Sequence, residues 1–260
     1  MKRAGFTLIE LLIVIAIIAL LIALSVTVLR ASRQRARTAL CASRIRQMML
    51  DLQMYDTDHG TFPPGFVDSY TSPPGGNPGD PSRDRVGWWW FNFLSGYDGV
   101  KEPLLHCPSK VLSHPSLKGS VLYGNYGVNR SVFKSPGASQ REAEEFTGTP
   151  LGGGDVTGGT LLIVDNGYGI TGWWHAADMP PWPLDSGRGE DTAYVPGLEI
   201  NKNKKLLAGQ QDDAINGRHP NKTVNVGFGD NHVSTVKAHD LLVQKTADGY
   251  ANKSPLWSPK

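Results

Sequence analysis

The chain begins with a long apolar stretch. Residues 11–29 are all apolar except Ser25 and Thr27, and none of them is charged. A helix of this length can cross a hydrocarbon core of about 30 Å. A secretory signal would have a shorter apolar region and a small-residue cleavage site, whereas this stretch continues into arginine-rich sequence. The pattern therefore predicts a membrane span that stays in the protein.

The helix is predicted to continue well past the span. Neither Gly nor Pro occurs between Leu29 and Gly60, and helix-favouring residues dominate, so one helix is expected from residue 6 to about residue 58. Its second half carries apolar residues at every third or fourth position, namely Cys41, Ile45, Met48, Leu52 and Tyr55. This spacing puts them on one helical face, where we expect a globular domain to pack.

The rest of the chain is predicted to form an α+β head. Residues 60–87 hold six Pro and six Gly, which indicates an irregular loop. Residues 160–165 are predicted as a central strand and residues 121–123 as a weaker one. Residues 223–228 and 232–236 alternate in polarity around an Asp-Asn turn, which predicts a hairpin. The expected fold is a long N-terminal helix, transmembrane in its first half, with a small antiparallel β-sheet head and long Gly/Pro-rich loops.

Three consecutive tryptophans, Trp88, Trp89 and Trp90, form the densest aromatic cluster of the sequence. Packing in the core against the helix stripe is the simpler interpretation. Because neighbouring residues of a strand point to opposite sides, the three rings cannot all face inward from one strand. At least one ring is therefore expected to contact another element, a neighbouring subunit or a ligand.

Charge and motif content narrow the function. The chain has 26 Lys and Arg against 24 Asp and Glu, and this excess equals the contribution of Lys2 and Arg3. Nothing overall indicates a nucleic-acid partner. The sequence contains no nucleophile elbow, P-loop, HExxH motif or paired-cysteine zinc spacing. We therefore expect no enzymatic activity, no catalytic residue, no cofactor and no metal.

A single carboxylate, Glu10, lies at the edge of the span. Burying an ionised group in hydrocarbon costs about 2.5–3.5 kcal/mol even on insertion scales, and such residues usually have a partner. Residues 5–10, GFTLIE, together with the apolar run, resemble the prepilin cleavage and methylation signature that type IV pilins and type II secretion pseudopilins share. The resemblance implies cleavage between Gly5 and Phe6, methylation of the new amine of Phe6, and pairing of Glu10 with the N-terminal amine of a neighbouring subunit. The alternative is that Glu10 lies at headgroup depth.

The resemblance also implies an organisation and a location. Residues 1–5 would be the leader, 6–29 the transmembrane half of the helix, 30–59 its extramembrane half and 60–260 the α+β head. The implied partners are further copies of the chain or pilin-like co-subunits, the prepilin peptidase and an inner-membrane assembly platform. The protein would cross the bacterial inner membrane once, with its head outside the cytoplasm. One feature opposes this orientation, because six arginines beyond the span make that side more basic than the leader: Arg30, Arg33, Arg35, Arg37, Arg44 and Arg46.

Two further segments resemble a large subgroup of pilin-like proteins. The first covers the helix end, where the matching residues are Cys41, Gln47, Tyr55, Asp58, Gly60, Phe62 and Pro63. The second is a C-terminal motif of a His, nine residues and Asp-Gly. In this chain ten residues separate His219 from Asp230, Asn231 replaces the Gly, and His232 follows. The extra residue lies before the predicted hairpin, so we expect a longer approach loop and an intact hairpin.

The cysteines and the histidines leave alternatives open. Cys41 and Cys107 could form a disulfide in an oxidising compartment, or could be a member of the helix stripe and a loop residue. His219, Asp230 and His232 could form a facial metal set, although Asp230 is also the expected turn residue. The acidic residues 210–213 could hold calcium but lack the ligand order of an EF-hand.

The predicted function is that of a pilin-like structural subunit. It would be assembled through its N-terminal helix into a type II secretion pseudopilus or a type IV pilus-like filament. Two alternatives remain at this point: a minor tip or adhesion subunit, and a membrane-anchored binding module or hydrolase that begins with a pilin-like span.

Overall fold

The computed structural model describes residues 7–68, 87–94, 102–112, 114–136, 144–181, 193–207 and 209–259. Its first element is helix α1, Leu8–His59, which has 52 residues. At 1.5 Å per residue the helix is about 78 Å long. It ends at Gly60, whose φ of +73° is left-handed and whose N–H donates to the carbonyl of Asp56. The predicted single helix is confirmed, with its end one residue beyond the expected position.

The two halves of α1 have different surroundings. Every side chain of residues 7–37 is exposed. In the second half, one face is buried, and its buried residues are Cys41, Ile45, Met48, Met49 and Leu52. Four of these belong to the predicted stripe, and Tyr55, its fifth member, is half-buried.

A five-stranded sheet forms the centre of the head. Its strands are β3 (Tyr126–Asn129), β4 (Leu161–Asp165), β5 (Ile170–Thr171), β6 (Thr223–Phe228) and β7 (Val233–Lys237). The order across the sheet is β5-β3-β4-β6-β7, and every pair is antiparallel except β3 with β5. The predicted central strand and hairpin are present, and the α+β fold class is confirmed.

Shorter elements surround this sheet. Two-stranded pairs are formed by β1 (Phe66–Asp68) with β2 (Gly87–Trp89) and by β8 (Gln244–Thr246) with β9 (Gly249–Ala251). The short helices are α2 (Glu102–Leu105), α3 (Pro115–Gly119) and α4 (Gln211–Asn216). Single 3₁₀ turns occur at Trp90–Phe93, Glu144–Phe146, Gly153–Asp155, Trp173–Ala176, Glu199–Asn203, Pro220–Lys222 and Ala238–Leu241.

Two expectations about strands need correction. Residues 121–123 form no strand, and Tyr123 makes only an isolated bridge to Tyr168. A strand begins three residues after Tyr123 instead, as β3. The predicted loop of residues 60–87 has regular structure at its ends, where β1 pairs with β2. Residues 69–86 of that loop lie outside the described residues.

Helix α1 packs against β4, β6 and β7 of the sheet. Gly227 of β6 allows a close approach of the helix, because a Cβ there would lie 2.7 Å from Sδ of Met49. Side chains alternate along a strand, and Val224 and Val226 of β6 accordingly belong to a second apolar cluster that includes Trp257. The sheet therefore separates the core beneath α1 from a core on its other side.

The tryptophan triplet contributes mainly to the core beneath α1. Trp89 and Trp90 are fully buried. Trp88 is half-buried, and its ring lies 5.5 Å from that of Phe93. The chain changes from strand β2 to a 3₁₀ turn at Trp90, which lets two adjacent rings enter one core. A contact of Trp88 with another subunit stays a prediction.

Candidate functional sites on the helix

The first candidate site is the beginning of α1. Gly5 and Phe6 lie outside the described residues. Thr7 caps the helix, and its backbone N–H and its hydroxyl donate to Oε2 of Glu10 at 2.9 and 2.7 Å. The N–H of Glu10 donates in return to the Thr7 hydroxyl at 3.3 Å. This capping box fixes the carboxylate at the positive end of the helix.

The span that follows is exposed along its whole length in the part of the chain that the structure describes. By length and composition α1 is able to cross a membrane, and no residue of its most apolar window is buried. The hydroxyls of Ser25 and Thr27 donate to carbonyls of the preceding turn, at Leu21 and Leu24. The two polar side chains of the span are therefore satisfied by the helix itself, which suits an apolar environment.

The second candidate site lies where α1 meets the head. Cys41 of α1 and Cys107, two residues after α2, form a disulfide with a Cα–Cα distance of 5.5 Å. Both are buried, and the N–H of Cys107 donates to Oδ1 of Asn125 at 2.9 Å. The bond therefore ties the helix to a loop that the sheet also holds.

His219 lies beside this disulfide and is buried. Its Nε2 is 2.9 Å from Oδ2 of Asp165, at the end of β4, and 2.9 Å from the amide nitrogen of Asn225. Its Nδ1 is 3.2 Å from the hydroxyl of Thr38, a residue of α1. Oδ2 of Asp165 also accepts from the N–H of Asn225 at 2.7 Å. The imidazole thus joins the helix, β4 and β6.

The facial metal set of His219, Asp230 and His232 is wrong. Asp230 and His232 form an exposed ion pair beyond β6, whereas His219 precedes the strand and is buried. The six residues of β6 separate these ends by about 20 Å. The hydrogen bond from His232 lowers the pKa of Asp230. Asn231, with φ at +66°, takes the left-handed turn position in place of the Gly of the motif.

A buried ion network extends from Asp165. The Arg218 guanidinium lies 3.7 Å from Oδ1 of Asp165, and its Nη2 donates to Oδ2 of Asp213 at 2.7 Å and to the carbonyl of Asn166 at 2.8 Å. The hydroxyl of Tyr194 donates to Asp213 at 2.8 Å. Burial, together with the charge of Asp213, raises the pKa of Tyr194. Burial alone would lower the pKa of Arg218. The negative charge of Asp213 and its hydrogen bonds outweigh the effect of burial, so the pKa of the guanidinium is raised.

This network contradicts the alternative that residues 210–213 hold calcium. Asp213 is fully buried in α4 and is bound by Arg218, so it is not available as a ligand at the surface. Lys110 lies near the same network and donates from Nζ to the carbonyl of Ser120 at 2.8 Å. Burial, with repulsion from Arg218, lowers the pKa of Lys110 to about 7.

Comparison with known families bears on the first site. Residues 1–26 match the family described as the prokaryotic N-terminal methylation motif. No curated protein and no solved structure matches the chain. The matched segment covers the capping box and most of the apolar stretch, and helix α1 continues beyond it to His59.

The chain fits a type IV pilin-like protein. In general, such a signature implies processing by a prepilin peptidase and assembly with other pilin subunits. The signature and the apolar helix together also suggest anchoring in the inner membrane.

Sequence reasoning missed the network behind the second site. His219 belongs to the motif at the C-terminal hairpin, but its partners Asp165 and Thr38 belong to no motif, and neither do Arg218 and Asp213. One signal was present in the sequence, because Asp165 ends an otherwise apolar central strand and a buried acid requires a partner.

Proposed function

We propose that the chain is a structural subunit, assembled through α1 into a type II secretion pseudopilus or a type IV pilus-like filament. Its leader, residues 1–5, is removed by the prepilin peptidase, and the new amine of Phe6 is methylated. The head lies outside the cytoplasm. Its role is assembly rather than catalysis, and its partners are further copies of the chain or pilin-like co-subunits on an inner-membrane platform.

The observation that carries the proposal is the exposed apolar half of α1. Fifteen large apolar residues between Leu8 and Val28 are exposed, and Leu29 follows them. An apolar surface of this length is too costly to leave in water. Lipid covers it before assembly, and the helices of neighbouring subunits cover it in a filament.

The position of Glu10 supports assembly in the proposed order. Among the described residues of one chain, its carboxylate is bound by Thr7. Two hydrogen bonds from Thr7 leave acceptor capacity on the carboxylate, which has about four lone-pair sites. A protonated amine of a neighbouring subunit can fill it, and an acid and an ammonium in a low-dielectric environment relieve each other's desolvation.

The burial of the second site supports a role without catalysis. The side chains of His219 and Asp165 have no exposed surface, so a substrate cannot reach them in the folded head. They join α1, β4 and β6 instead, which is the function of a structural connection. The exposed pair of Asp230 and His232 has a turn geometry, in which His232 N–H donates to the Asp230 carboxylate at 3.2 Å.

The first test is the intact mass of the protein from the membrane fraction of its own host, with sequencing of the N-terminal peptide. We expect a chain that begins with methylated Phe6. A chain that still begins with Met1 in cells containing the peptidase would contradict the proposal and favour an anchored module.

A second test replaces Glu10 by Ala. We expect membrane insertion to persist and the yield of sheared filaments to fall steeply, because the neighbour's amine loses its partner. The matched control is Glu199→Ala, which removes an exposed head carboxylate that pairs with Lys222 at 3.1 Å. Equal filament yields from the two variants would exclude the proposed role of Glu10.

A further inference from the structure

The disulfide lies within a set of four side chains that suit a metal. Cys41, Cys107, Asp165 and His219 are all buried, and their potential ligand atoms all lie within 4.8 Å of one another. Zinc is bound in proteins by sulfur at about 2.3 Å and by nitrogen or oxygen at about 2.0–2.2 Å. In a tetrahedral site these bond lengths place the ligand atoms about 3.3–3.8 Å apart. The four side chains therefore need only small shifts once the sulfur atoms separate.

We propose that the reduced chain, before the disulfide forms, binds one zinc ion through Cys41, Cys107, His219 and Asp165. No reductant is required, because the cysteines are thiols when the chain is synthesised. Binding forms two zinc–sulfur bonds and releases the two thiol protons to water. Later exchange with a disulfide oxidant transfers two electrons from the thiolates to that disulfide, which takes up two protons and becomes two thiols, while the Cys41–Cys107 bond forms and the ion is released.

The carboxylate of Asp165 provides the independent observation. It is fully buried, and its Oδ1 accepts no hydrogen bond from any described residue. The guanidinium of Arg218 is 3.7 Å away and is already bound to Asp213. A buried carboxylate oxygen without a hydrogen bond is costly, and a cation at this position would satisfy it.

The charges around the site allow a divalent ion. In the described network Asp165 and Asp213 carry two negative charges and Arg218 one positive charge. Zinc adds two positive charges, and the two lost thiol protons remove two. The net charge of the buried cluster is therefore unchanged on binding, which avoids the cost of introducing an uncompensated charge.

The residues around His219 hold it as a metal ligand would be held. The hydroxyl of Thr38 donates to the carbonyl of Gln34 at 3.0 Å, so it can accept from Nδ1 of His219. That arrangement leaves Nε2 as an acceptor, and in the disulfide-bonded chain it accepts from the amide nitrogen of Asn225 at 2.9 Å. Zinc would take the place of this hydrogen bond, while Thr38 orients the ring as outer-shell partners orient metal-binding histidines. Asn225, with its side-chain oxygen bound by Thr235 at 2.6 Å, supports the other side of the ring.

The site would act during folding. Its ligands come from α1, the loop after α2, the end of β4 and the loop before β6, so the ion gathers four distant segments of the chain. Metal binding of this kind contributes directly to folding. The ion would hold the two sulfur atoms in place until the disulfide replaces it.

The test uses the full chain in detergent, reduced by a phosphine without oxygen and titrated with cobalt(II) and then zinc. We expect one cobalt per reduced chain, with thiolate-to-cobalt charge-transfer absorption and the visible bands of a four-coordinate ion, and displacement by zinc. The oxidised chain should bind neither ion at this site. A reduced chain without these bands would overturn the proposal.

Variants identify the ligands. Asp165→Asn and His219→Gln should weaken zinc binding at least tenfold, and His232→Gln, an exposed control, should not change it. Equal affinity in all three would overturn the proposed ligand set. If the buried variants do not fold, X-ray absorption of the zinc-loaded wild-type chain decides. We expect zinc to have two sulfur neighbours and two nitrogen or oxygen neighbours. Any other set of atoms bonded to zinc contradicts the proposed site.

Discussion

The two halves of α1 share one backbone but differ in what their side chains contact. In residues 7–37 every side chain is exposed, whereas in the last two turns before Leu52 one face is fully buried by the head. Within this half, residues 11–29 are apolar all around except for Ser25 and Thr27, which is typical of a helix surrounded by lipid or by other helices. The second half is amphipathic, because it has the head on one side only.

This difference shows which parts of the chain contribute to the stability of the folded protein. The head and the second half of α1 share a core, a disulfide and the His219 connection to Thr38. The first half supplies none of the described residues of that core, so changes in its sequence need not alter the stability of the head. Changes in the two halves should therefore affect different measurements.

Removing residues 1–29 should have the largest effect. We expect a fragment that is soluble without detergent, since the exposed apolar half of α1 is gone. Its thermal midpoint should lie within about 2 °C of the full chain in detergent, because no buried contact is lost. Circular dichroism during heating measures this.

A longer truncation is the control for this experiment. A fragment that begins at Arg46 lacks Cys41 and Ile45, which are buried in the shared core. We expect it to aggregate or to melt well below the first fragment. If the fragment of residues 30–260 itself aggregates, the division of α1 into two independent halves is wrong.

Breaking the disulfide should have the next largest effect, confined to the head. The bond closes a loop with a sequence separation of 66 residues. Closing a loop of this size stabilises a protein by about 4 kcal/mol in the chain-entropy description. The Cys41→Ser, Cys107→Ser double variant should lose about this amount in urea unfolding of the zinc-free chain, with membrane insertion unchanged. Identical unfolding midpoints would contradict the expected contribution of the bond.

Ile45 and Leu50 test the two faces of one helical segment. Ile45 is fully buried, and Leu50 is 54% exposed. Ile45→Ala should lower the free energy of unfolding by about 3 kcal/mol, because it leaves a cavity beneath the sheet. Leu50→Ala should change it by less than about 0.5 kcal/mol. A comparable loss from both, measured by urea unfolding, would mean that the opposite face of α1 is also packed.

The sequence predicted these halves because each follows one repeating pattern. An unbroken apolar run predicts the span, and the spacing of Cys41, Ile45, Met48 and Leu52 predicts the buried face. The hairpin β6–β7 was equally predictable from the sequence, since its alternation and its Asp-Asn turn are local signals. A local pattern with a fixed period predicts its element without knowledge of the rest of the fold.

The second site was not predictable in this way. Cys41, Cys107, Asp165 and His219 are separated by more than 50 residues at each step, and only the folded sheet brings them together. These four residues therefore match no metal motif with close spacing. His219 is near Asp230 and His232 in sequence, which is why the sequence favours that group instead. Strand β6 then separates them in space.

The smallest expected effect concerns Lys110, at the edge of the junction between helix and head. Burial and repulsion from Arg218 lower its pKa to about 7 in the folded chain, against about 10.4 in an unfolded one. Between pH 7 and pH 10 the unfolded state therefore binds a proton that the folded state has released, so stability should rise with pH in this range.

Replacing this lysine isolates its share of the pH dependence. Lys110→Met should be more stable than the wild type near pH 7 and should lose part of the rise towards pH 10, since the buried position no longer holds an ionisable amine. Lys237→Met is the matched control, because Lys237 is exposed on β7. Urea unfolding of the truncated head at several pH values measures both. If Lys110→Met shows the same rise in the free energy of unfolding with pH as the wild type, Lys110 does not cause that rise. The close packing of the head around its amine would then be wrong.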